Sequence, residues 1–185
     1  MRIEGGAIKR RRLCAVPGLQ VRPTSGRVRQ ALFNVLRGLL EDVIFVDLFA
    51  GTGSVGLEAL SHGVRQVYFV ENAPRALQVL RTNIASCAMT EQAIVLNGTL
   101  PHALRKFGVP VQADVFFLDP PYASDLGEET LKAIGDGRLL APRGVVVWQH
   151  ATRRSAPVLV AGFSLWQSRY YGNTQLSFYM LDTRL

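Results

Sequence analysis

The chain has few of the residues that metal sites and disulfide frameworks require. Its 185 residues include two cysteines, Cys14 and Cys87, and three histidines, His62, His102 and His150. The cysteines are far apart and have no metal-ligand spacing, so we expect neither a disulfide nor a metal. No apolar run is long enough to cross a bilayer, and the first residues lack a signal-peptide core. We therefore expect a globular, cytoplasmic protein with no membrane partner.

Acidic residues are nearly absent from the first thirty positions. Residues 1–30 carry eight basic side chains and one acidic one, Glu4, and this excess of seven equals the net charge of the whole chain, +7. The rest of the chain is balanced. A basic segment on a neutral body indicates polyanion binding, although it could serve only for solubility. Arginine suits phosphate because its planar fork donates two hydrogen bonds at once. The candidate nucleic-acid contacts are Arg2, Lys9, Arg10, Arg11, Arg12 and Arg22.

Apolar runs alternate with helical periodicity over most of the chain. Strands are predicted at 43–48, 66–70, 92–97, 113–118 and 144–149, with helices near 54–62, 73–88, 99–107 and 125–135. A further helix is predicted to begin at a cap formed by Thr24 or Ser25. Two more strands, 163–170 and 174–181, form a terminal hairpin, and residues 2–13 are predicted to form a small β-hairpin. This order predicts an α/β fold with a seven-stranded, mostly parallel sheet.

A glycine-rich turn follows the first predicted strand. Gly51, Gly53 and Gly56 match the GxGxxG fingerprint of dinucleotide-binding folds, and Glu71 follows Gly51 by the 20 residues typical of a ribose ligand. By spacing alone, NAD and S-adenosylmethionine are both allowed. Asp47 favours S-adenosylmethionine because a carboxylate there would repel a pyrophosphate and attract an ammonium or sulfonium group. The alternatives are an Asp47 satisfied by the amides of the turn and a Glu71 that only caps a helix.

An acceptor-rich motif ends the fourth predicted strand of the sheet. Asp119, Pro120, Pro121 and Tyr122 combine a carboxylate, carbonyls without competing N–H groups and an aromatic ring. Such a cluster suits a planar base with an exocyclic amine, which would donate to the oxygens and stack on the ring. These four residues are the candidate catalytic set. The alternative is a proline-rich turn before a helix.

The order of these motifs resembles that of S-adenosylmethionine-dependent amino-group methyltransferases. The amino-terminal part resembles one bacterial family in particular. Two stretches are similar to that family: Arg2-Ile3-Glu4-Gly5-Gly6, and Arg-Pro-Thr-Ser-Gly-Arg-Val-Arg-Gln-Ala-Leu-Phe-Asn over 22–34. That family methylates guanine N2 in 16S ribosomal RNA. The similarity continues through Tyr171-Gly172-Asn173-Thr174.

The resemblance implies a Rossmann-like class I methyltransferase fold. Residues 1–23 would be a basic hairpin arm on the RNA, and 24–185 the catalytic domain. The partner would be 16S ribosomal RNA within a small-subunit assembly, and we expect a monomer. The motif alone also allows adenine N6 or cytosine N4, and a non-catalytic RNA-binding module is the other reading. The implied cofactor-binding residues are Asp47, Gly51, Gly53, Glu71, Asn72, Gly98, Thr99, Arg29 and Phe33.

Four positions depart from the usual pattern of that family. Arg10 stands where glycine is common in the basic segment, and this is expected to alter its turn. Gly26 and Gln30 replace acids in the first helix, and Gln149 replaces an acid that often ends the fifth strand. These departures leave the implied chemistry intact and bear on how the RNA docks.

Overall fold

A computed structural model describes residues 1–16, 24–106, 112–121 and 124–182. Arg22 and Tyr122, two of the sequence-predicted site residues, lie outside the described residues. The helices are α1 Gly26–Leu36, α2 Ser54–Ser61, α3 Pro74–Ser86, α4 His102–Lys106 and α5 Leu126–Asp136, and a 3-10 turn over Arg37–Leu39 follows α1. The strands are β1 Ile44–Leu48, β2 Gln66–Glu71, β3 Ala93–Asn97, β4 Ala113–Leu118, β5 Leu140–Ala151, β6 Leu159–Val160, β7 Phe163–Tyr171 and β8 Thr174–Leu181.

The strands form one mixed sheet in the order β3-β2-β1-β4-β5-β8-β7-β6. The first five strands are parallel and the last three are antiparallel, so the predicted α/β fold with a terminal antiparallel hairpin is confirmed. The predicted number of strands is wrong, because the described residues contain eight. The additional strand, β6, has only two residues, too few for a hydrophobic pattern, and it turns into β7 through Ala161 and Gly162, both with positive φ.

Two apolar cores lie on opposite faces of the sheet because neighbouring side chains of a strand point to opposite faces. Phe45 of β1 belongs to the core under α1, α2 and α3. The next residue, Val46, belongs to the core under α4 and α5. Both faces of the parallel strands are therefore covered, which explains why these strands are continuously apolar in sequence. Their carboxyl ends remain available for a site.

The first helix begins where its cap predicts. The Ser25 hydroxyl accepts a hydrogen bond from the Val28 N–H at 3.3 Å, which satisfies one donor of the first turn. Val28, Leu32 and Leu36 form the buried stripe. Leu39 continues the same spacing, but its side chain is 40% exposed because the α-helix ends at Leu36.

The described part of the amino-terminal segment is not a β-hairpin, so that prediction is wrong. Residues 1–16 contain one isolated bridge, between Arg2 and Arg12, and no strand. The two arms are still joined, because the Ile3 N–H donates to the Arg11 carbonyl at 3.0 Å.

The turn between the arms bonds to α2. The Ala7 N–H donates to the Ser61 carbonyl at 2.7 Å, and the Ile8 N–H donates to the Ser61 hydroxyl at 3.1 Å. The segment is thereby fixed to the helical face of the domain.

Candidate active site

A groove opens at the carboxyl ends of the parallel strands, where open α/β sheets bind ligands. It holds about 400 Å³ when the open solvent at its mouth is included. The groove brings together five of the sequence-predicted site residues, Glu71, Asn72, Gly98, Thr99 and Pro121. It is also lined by Phe49, Val70, Leu100 and Leu126. The ends of β2, β3 and β4 therefore meet in one space.

The glycines of the turn after β1 serve different purposes. Gly51 has φ +56°, and a Cβ added there would meet nothing within 4 Å, so open space lies next to its backbone. Gly53 also has positive φ, but an added Cβ would lie 2.3 Å from Leu80. Gly56 has the same crowding against Phe69. Only Gly51 thus offers room for a ligand to approach, whereas the other two allow the turn to pack closely.

Glu71 ends β2 and organises the groove wall through backbone donors. Its Oε2 accepts from the Gly51 N–H at 2.7 Å, and its Oε1 accepts from the Asn72 and Ala73 N–H groups at 2.8 Å each. The Asn72 side chain in turn donates to the Thr99 hydroxyl at 3.2 Å. Glu71 therefore supports the glycine turn and the two residues that precede α3. It does not cap that helix, which has no side-chain cap hydrogen bond, and it lines the groove.

Asp47 lies beneath the turn, buried and 2% exposed. Its Oδ2 accepts from the Gly56 N–H at 2.9 Å, so the alternative that the turn satisfies this carboxylate describes the structure. Burial raises its pKa well above the ordinary value, and the nearby Asp119 and Glu71 carboxylates raise it further. Asp47 is absent from the groove lining among the described residues, so any effect on a ligand would be through charge rather than contact.

Asp119 lies immediately after β4 and next to the groove-lining Pro121. Thr24 Oγ1 donates to its Oδ2 at 3.2 Å, and Gln149 Nε2 donates to its Oδ1 at 2.8 Å. Burial raises the pKa of Asp119 to about 7, against the opposing effect of these two hydrogen bonds. Pro120 beside it is buried. The carboxyl group is therefore an acceptor that changes its charge near neutral pH.

Arg29 and Phe33 do not line the groove, and their side chains are engaged elsewhere. The Arg29 guanidinium is 2% exposed, donates to Glu58 Oε2 at 2.8 Å and to the carbonyls of Thr24 and Arg2 at 2.8 and 2.6 Å. Phe33 is buried and stacks on the His62 ring. The structure therefore does not bring these two side chains to the groove. Arg29 has another role, because it fixes the residue that donates to Asp119.

Most of the predicted nucleic-acid contacts are exposed on the amino-terminal segment. The side chains of Arg2, Lys9, Arg10 and Arg12 are exposed. Arg11 is exposed too, but its guanidinium bonds to the Ser86 carbonyl at the end of α3. The one acid of this segment, Glu4, forms an ion pair with Arg29 at 3.4 Å, directed into the protein. The outer surface of the segment is therefore positive.

Arg10 has φ +72°, the left-handed conformation that glycine adopts most readily. The sequence departure at this position therefore keeps the conformation that glycine allows and adds a charge. Strain of about 1–2 kcal/mol is typical for such a side chain.

Sequence reasoning missed three side chains that support the site. Thr24 and Gln149 donate hydrogen bonds to Asp119. Of the two, only Gln149 stood out in the sequence, where it departs from the pattern of the similar family. Buried Asn83 was missed entirely, although its Nδ2 donates to the Thr52 carbonyl at 2.9 Å and to the Cys14 carbonyl at 3.1 Å. It thereby joins the glycine turn to the basic segment.

Arg154 supports the segment that follows the Asp-Pro-Pro-Tyr motif, and it too was missed. It donates to the Ser124 carbonyl at 2.7 Å and forms ion pairs with Asp125 and Glu128. Its guanidinium lies 5.2 Å from the centre of the Trp148 ring. No short-range pattern connects these residues in sequence.

Among the residues that the structure describes, no three His, Cys, Asp or Glu side chains are grouped as a metal site. No helix in the same residues is long and apolar enough to cross a membrane.

Comparison with known proteins finds full-length relatives. A family described as "Conserved hypothetical protein 95" matches residues 1–180. "Putative rRNA methyltransferase YlbH" of Bacillus subtilis is 31% identical over 97% of this chain and 98% of its own. "Ribosomal RNA small subunit methyltransferase D" of Escherichia coli is 30% identical over 100% of this chain and 91% of its own. The solved structure of "Putative methyltransferase yhhF from Escherichia coli" superposes with a TM-score of 0.87 at 31% identity, covering 98% of both chains.

Proposed function

We propose that this chain, which belongs to the family described as "Conserved hypothetical protein 95", methylates the N2 amine of a guanine in 16S ribosomal RNA. S-adenosylmethionine would be the methyl donor. The observation that carries the proposal is the position of Asp119, an acceptor two residues before the groove-lining Pro121, in a groove that Glu71 also lines. The names of the full-length relatives support ribosomal RNA of the small subunit as the substrate. A protein that acts on such a substrate would be cytoplasmic.

The residues of the groove fit the proposed cofactor. The open space beside Gly51 allows close approach of a ligand to the backbone, and Glu71 presents carboxylate oxygens where ribose hydroxyls would donate. Asn72 and Thr99 offer further polar atoms in the groove lining, suitable for the adenine ring. Asp47 lies beneath the turn with a raised pKa, and a cationic ligand bound above it would favour its ionised form. When bound, S-adenosylmethionine supplies an electrophilic methyl group on a positively charged sulfur.

The chain's own residues would act by positioning and by accepting hydrogen bonds. An exocyclic amine of an aromatic base is a poor nucleophile because its lone pair is delocalised into the ring. Hydrogen bonds from that amine to Asp119 and to a carbonyl of the motif would concentrate electron density on nitrogen. Tyr122 would stack on the base and align it. As the new N–C bond forms, the amine must lose a proton, and a carboxylate with a pKa of about 7 is suited to accept it.

Transfer of a labelled methyl group tests the proposal. The purified protein is incubated with labelled S-adenosylmethionine and small subunits from cells that lack the gene, and the RNA is digested and analysed by mass spectrometry. We expect N2-methylguanosine at one position of 16S RNA. A methylated adenine or cytosine would contradict the assignment of guanine as the target base. If no methyl group is transferred, the proposed activity is wrong. A thermal shift with NAD and none with S-adenosylmethionine would favour an oxidoreductase.

The basic segment gives a separate test of RNA docking. Arg10→Gly removes one exposed charge and relieves the left-handed strain, so the protein should be as stable or more stable by about 1 kcal/mol. We expect RNA affinity to fall by about tenfold or less and the salt slope to decrease by about one.

Arg138→Gly is the matched control, since Arg138 is also exposed with positive φ but lies between α5 and β5. It should leave RNA binding unchanged. Equal salt slopes for wild type and Arg10→Gly would exclude Arg10 from the RNA interface.

A further inference from the structure

We infer that Gln149 is a specificity-determining residue, whose unpaired side-chain carbonyl accepts the ring N–H next to the target amine and so selects guanine. The inference rests on the proposed function. It addresses what the Asp-Pro-Pro-Tyr motif leaves open, because that motif fits the exocyclic amines of guanine, adenine and cytosine alike.

The first observation is the position of Gln149. It lies near the carboxyl end of β5, whose neighbour in the sheet is β4, the strand that ends at Asp119. Leu118 pairs with Trp148, so the next residues of the two strands, Asp119 and Gln149, are side by side. Their side chains are joined by the 2.8 Å hydrogen bond from Gln149 Nε2 to Asp119 Oδ1.

The second observation is an unsatisfied polar atom. Gln149 is 2% exposed, and its Oε1 has no hydrogen-bond partner in the part of the chain that the structure describes. In the ionised form that the proposed mechanism uses, Asp119 only accepts hydrogen bonds, so the amide presents Nε2 to it and Oε1 stays free for another donor. A buried acceptor without a donor costs about 1–3 kcal/mol. Such a cost is expected where a ligand supplies the missing donor.

The third observation is that a protein donor occupies the other oxygen of the carboxylate. Thr24 Oγ1 donates to Asp119 Oδ2, which is where an N–H of a target amine would bind in its place. The Oδ2 atom and Gln149 Oε1 are then two acceptors within one small cluster.

Base chemistry decides which ligand suits two adjacent acceptors. The N2 amine of guanine is next to N1–H, a second donor on the same edge. The N6 amine of adenine is next to N1 and the N4 amine of cytosine next to N3, and both ring nitrogens are acceptors. An acceptor facing an acceptor leaves both without a partner. A site built to receive an N–H rejects analogues that lack it strongly, by up to about 10⁴-fold.

A base analogue separates this role from a merely structural one. Small subunits are reconstituted with RNA that contains either guanosine or 2-aminopurine riboside at the mapped target. The analogue keeps the amine but has an acceptor at N1. We expect wild type to prefer guanosine in kcat/KM by about 100-fold or more. Gln149→Met removes the carbonyl, so its preference should fall to less than about a tenth of the wild-type value.

Two variants complete the design. Gln149→Glu keeps an acceptor oxygen and should retain the preference for guanosine. Gln78→Met makes the same substitution as Gln149→Met at an exposed position of α3 and should change neither rate. If Gln149→Met lowers both rates equally and leaves the preference unchanged, the inference is wrong although the proposed function stands. If wild type transfers no methyl group to guanosine RNA, the proposed function itself fails.

Discussion

The two halves of the groove are held together by different kinds of donor. On the side of β1 to β3, Glu71 receives three backbone N–H groups, from the glycine turn and from the two residues that precede α3. On the side of β4 and β5, Asp119 receives two side chains, Thr24 and Gln149, which are 95 and 30 residues away in sequence. Backbone donors remain when side chains change, whereas each side-chain donor can be lost by one substitution. The cofactor half should therefore be robust, and the substrate half sensitive.

The largest expected effect comes from removing the central acceptor of the substrate half. Asp119→Ala should lower the rate of methyl transfer by about 10³-fold, because the amine loses the group that activates and orients it. Cofactor affinity should be nearly unchanged, since Asp119 is outside the cofactor half. Single-turnover transfer and calorimetric titration with S-adenosylmethionine measure the two quantities. Wild-type turnover by the variant would remove Asp119 from the mechanism.

The corresponding change in the cofactor half should weaken cofactor binding more than it slows methyl transfer. Glu71→Ala is expected to weaken S-adenosylmethionine binding by about 10- to 100-fold, because hydrogen bonds to a charged group contribute about 1.5–3 kcal/mol. The rate of the bound complex should fall much less. Glu91→Ala, at an exposed acid after α3, serves as the control and should bind normally. A loss of turnover at saturating cofactor equal to that of Asp119→Ala would contradict the separation of the two halves.

The contrast also explains which parts of the site were predictable from sequence. The sequence placed Gly51 and Glu71 close together, and the structure joins them by a hydrogen bond, because they follow the ends of the adjacent strands β1 and β2. The parallel strands and their helices were predicted for the same reason, since continuous apolar runs and helical periodicity are local patterns. The roles of Thr24 and Asn83 were not predictable, because their partners depend on how distant helices pack.

The errors have the same physical origin. Arg29 was placed on the cofactor by resemblance, but a charged side chain at a buried helix face needs a partner, and Glu58 provides it. The amino-terminal hairpin is reduced to one antiparallel bridge, and the turn between its two arms is held by α2. In each case a tertiary contact overrides a local pattern.

The third prediction concerns the pH dependence of activity and of stability, which should follow the substrate half and not the cofactor half. If the ionised Asp119 is the active form, kcat/KM should rise about tenfold per pH unit below a pKa of about 7 and level off above it. Stability should change in the opposite direction. The folded-state pKa lies above the ordinary value of 3.8, so the folded protein binds this proton more tightly.

The stabilising contribution of Asp119 is therefore complete below about pH 3.8 and is lost as pH rises to about 7. Asp119→Asn should flatten that part of the stability curve, measured by denaturant unfolding between pH 4 and 8. Cofactor affinity should show no inflection near pH 7. An activity profile that is flat between pH 5 and 8 would exclude Asp119 as the titrating group.

The smallest expected effect tests one donor of the substrate half by itself. Thr24→Val removes the hydroxyl that stabilises the charged form of Asp119, so the pKa of that carboxyl group should rise. At pH 7 the fraction of ionised Asp119 falls, and kcat/KM should fall by about three- to tenfold, since one pKa unit is a tenfold change. At pH 9 the carboxyl is ionised in both proteins and the rates should converge. Thr24→Ser restores the hydroxyl and should restore the wild-type profile. If Thr24→Val lowers kcat/KM equally at both pH values, Thr24 acts through packing. Asp119 would then depend less on side-chain donors than the comparison of the two halves requires.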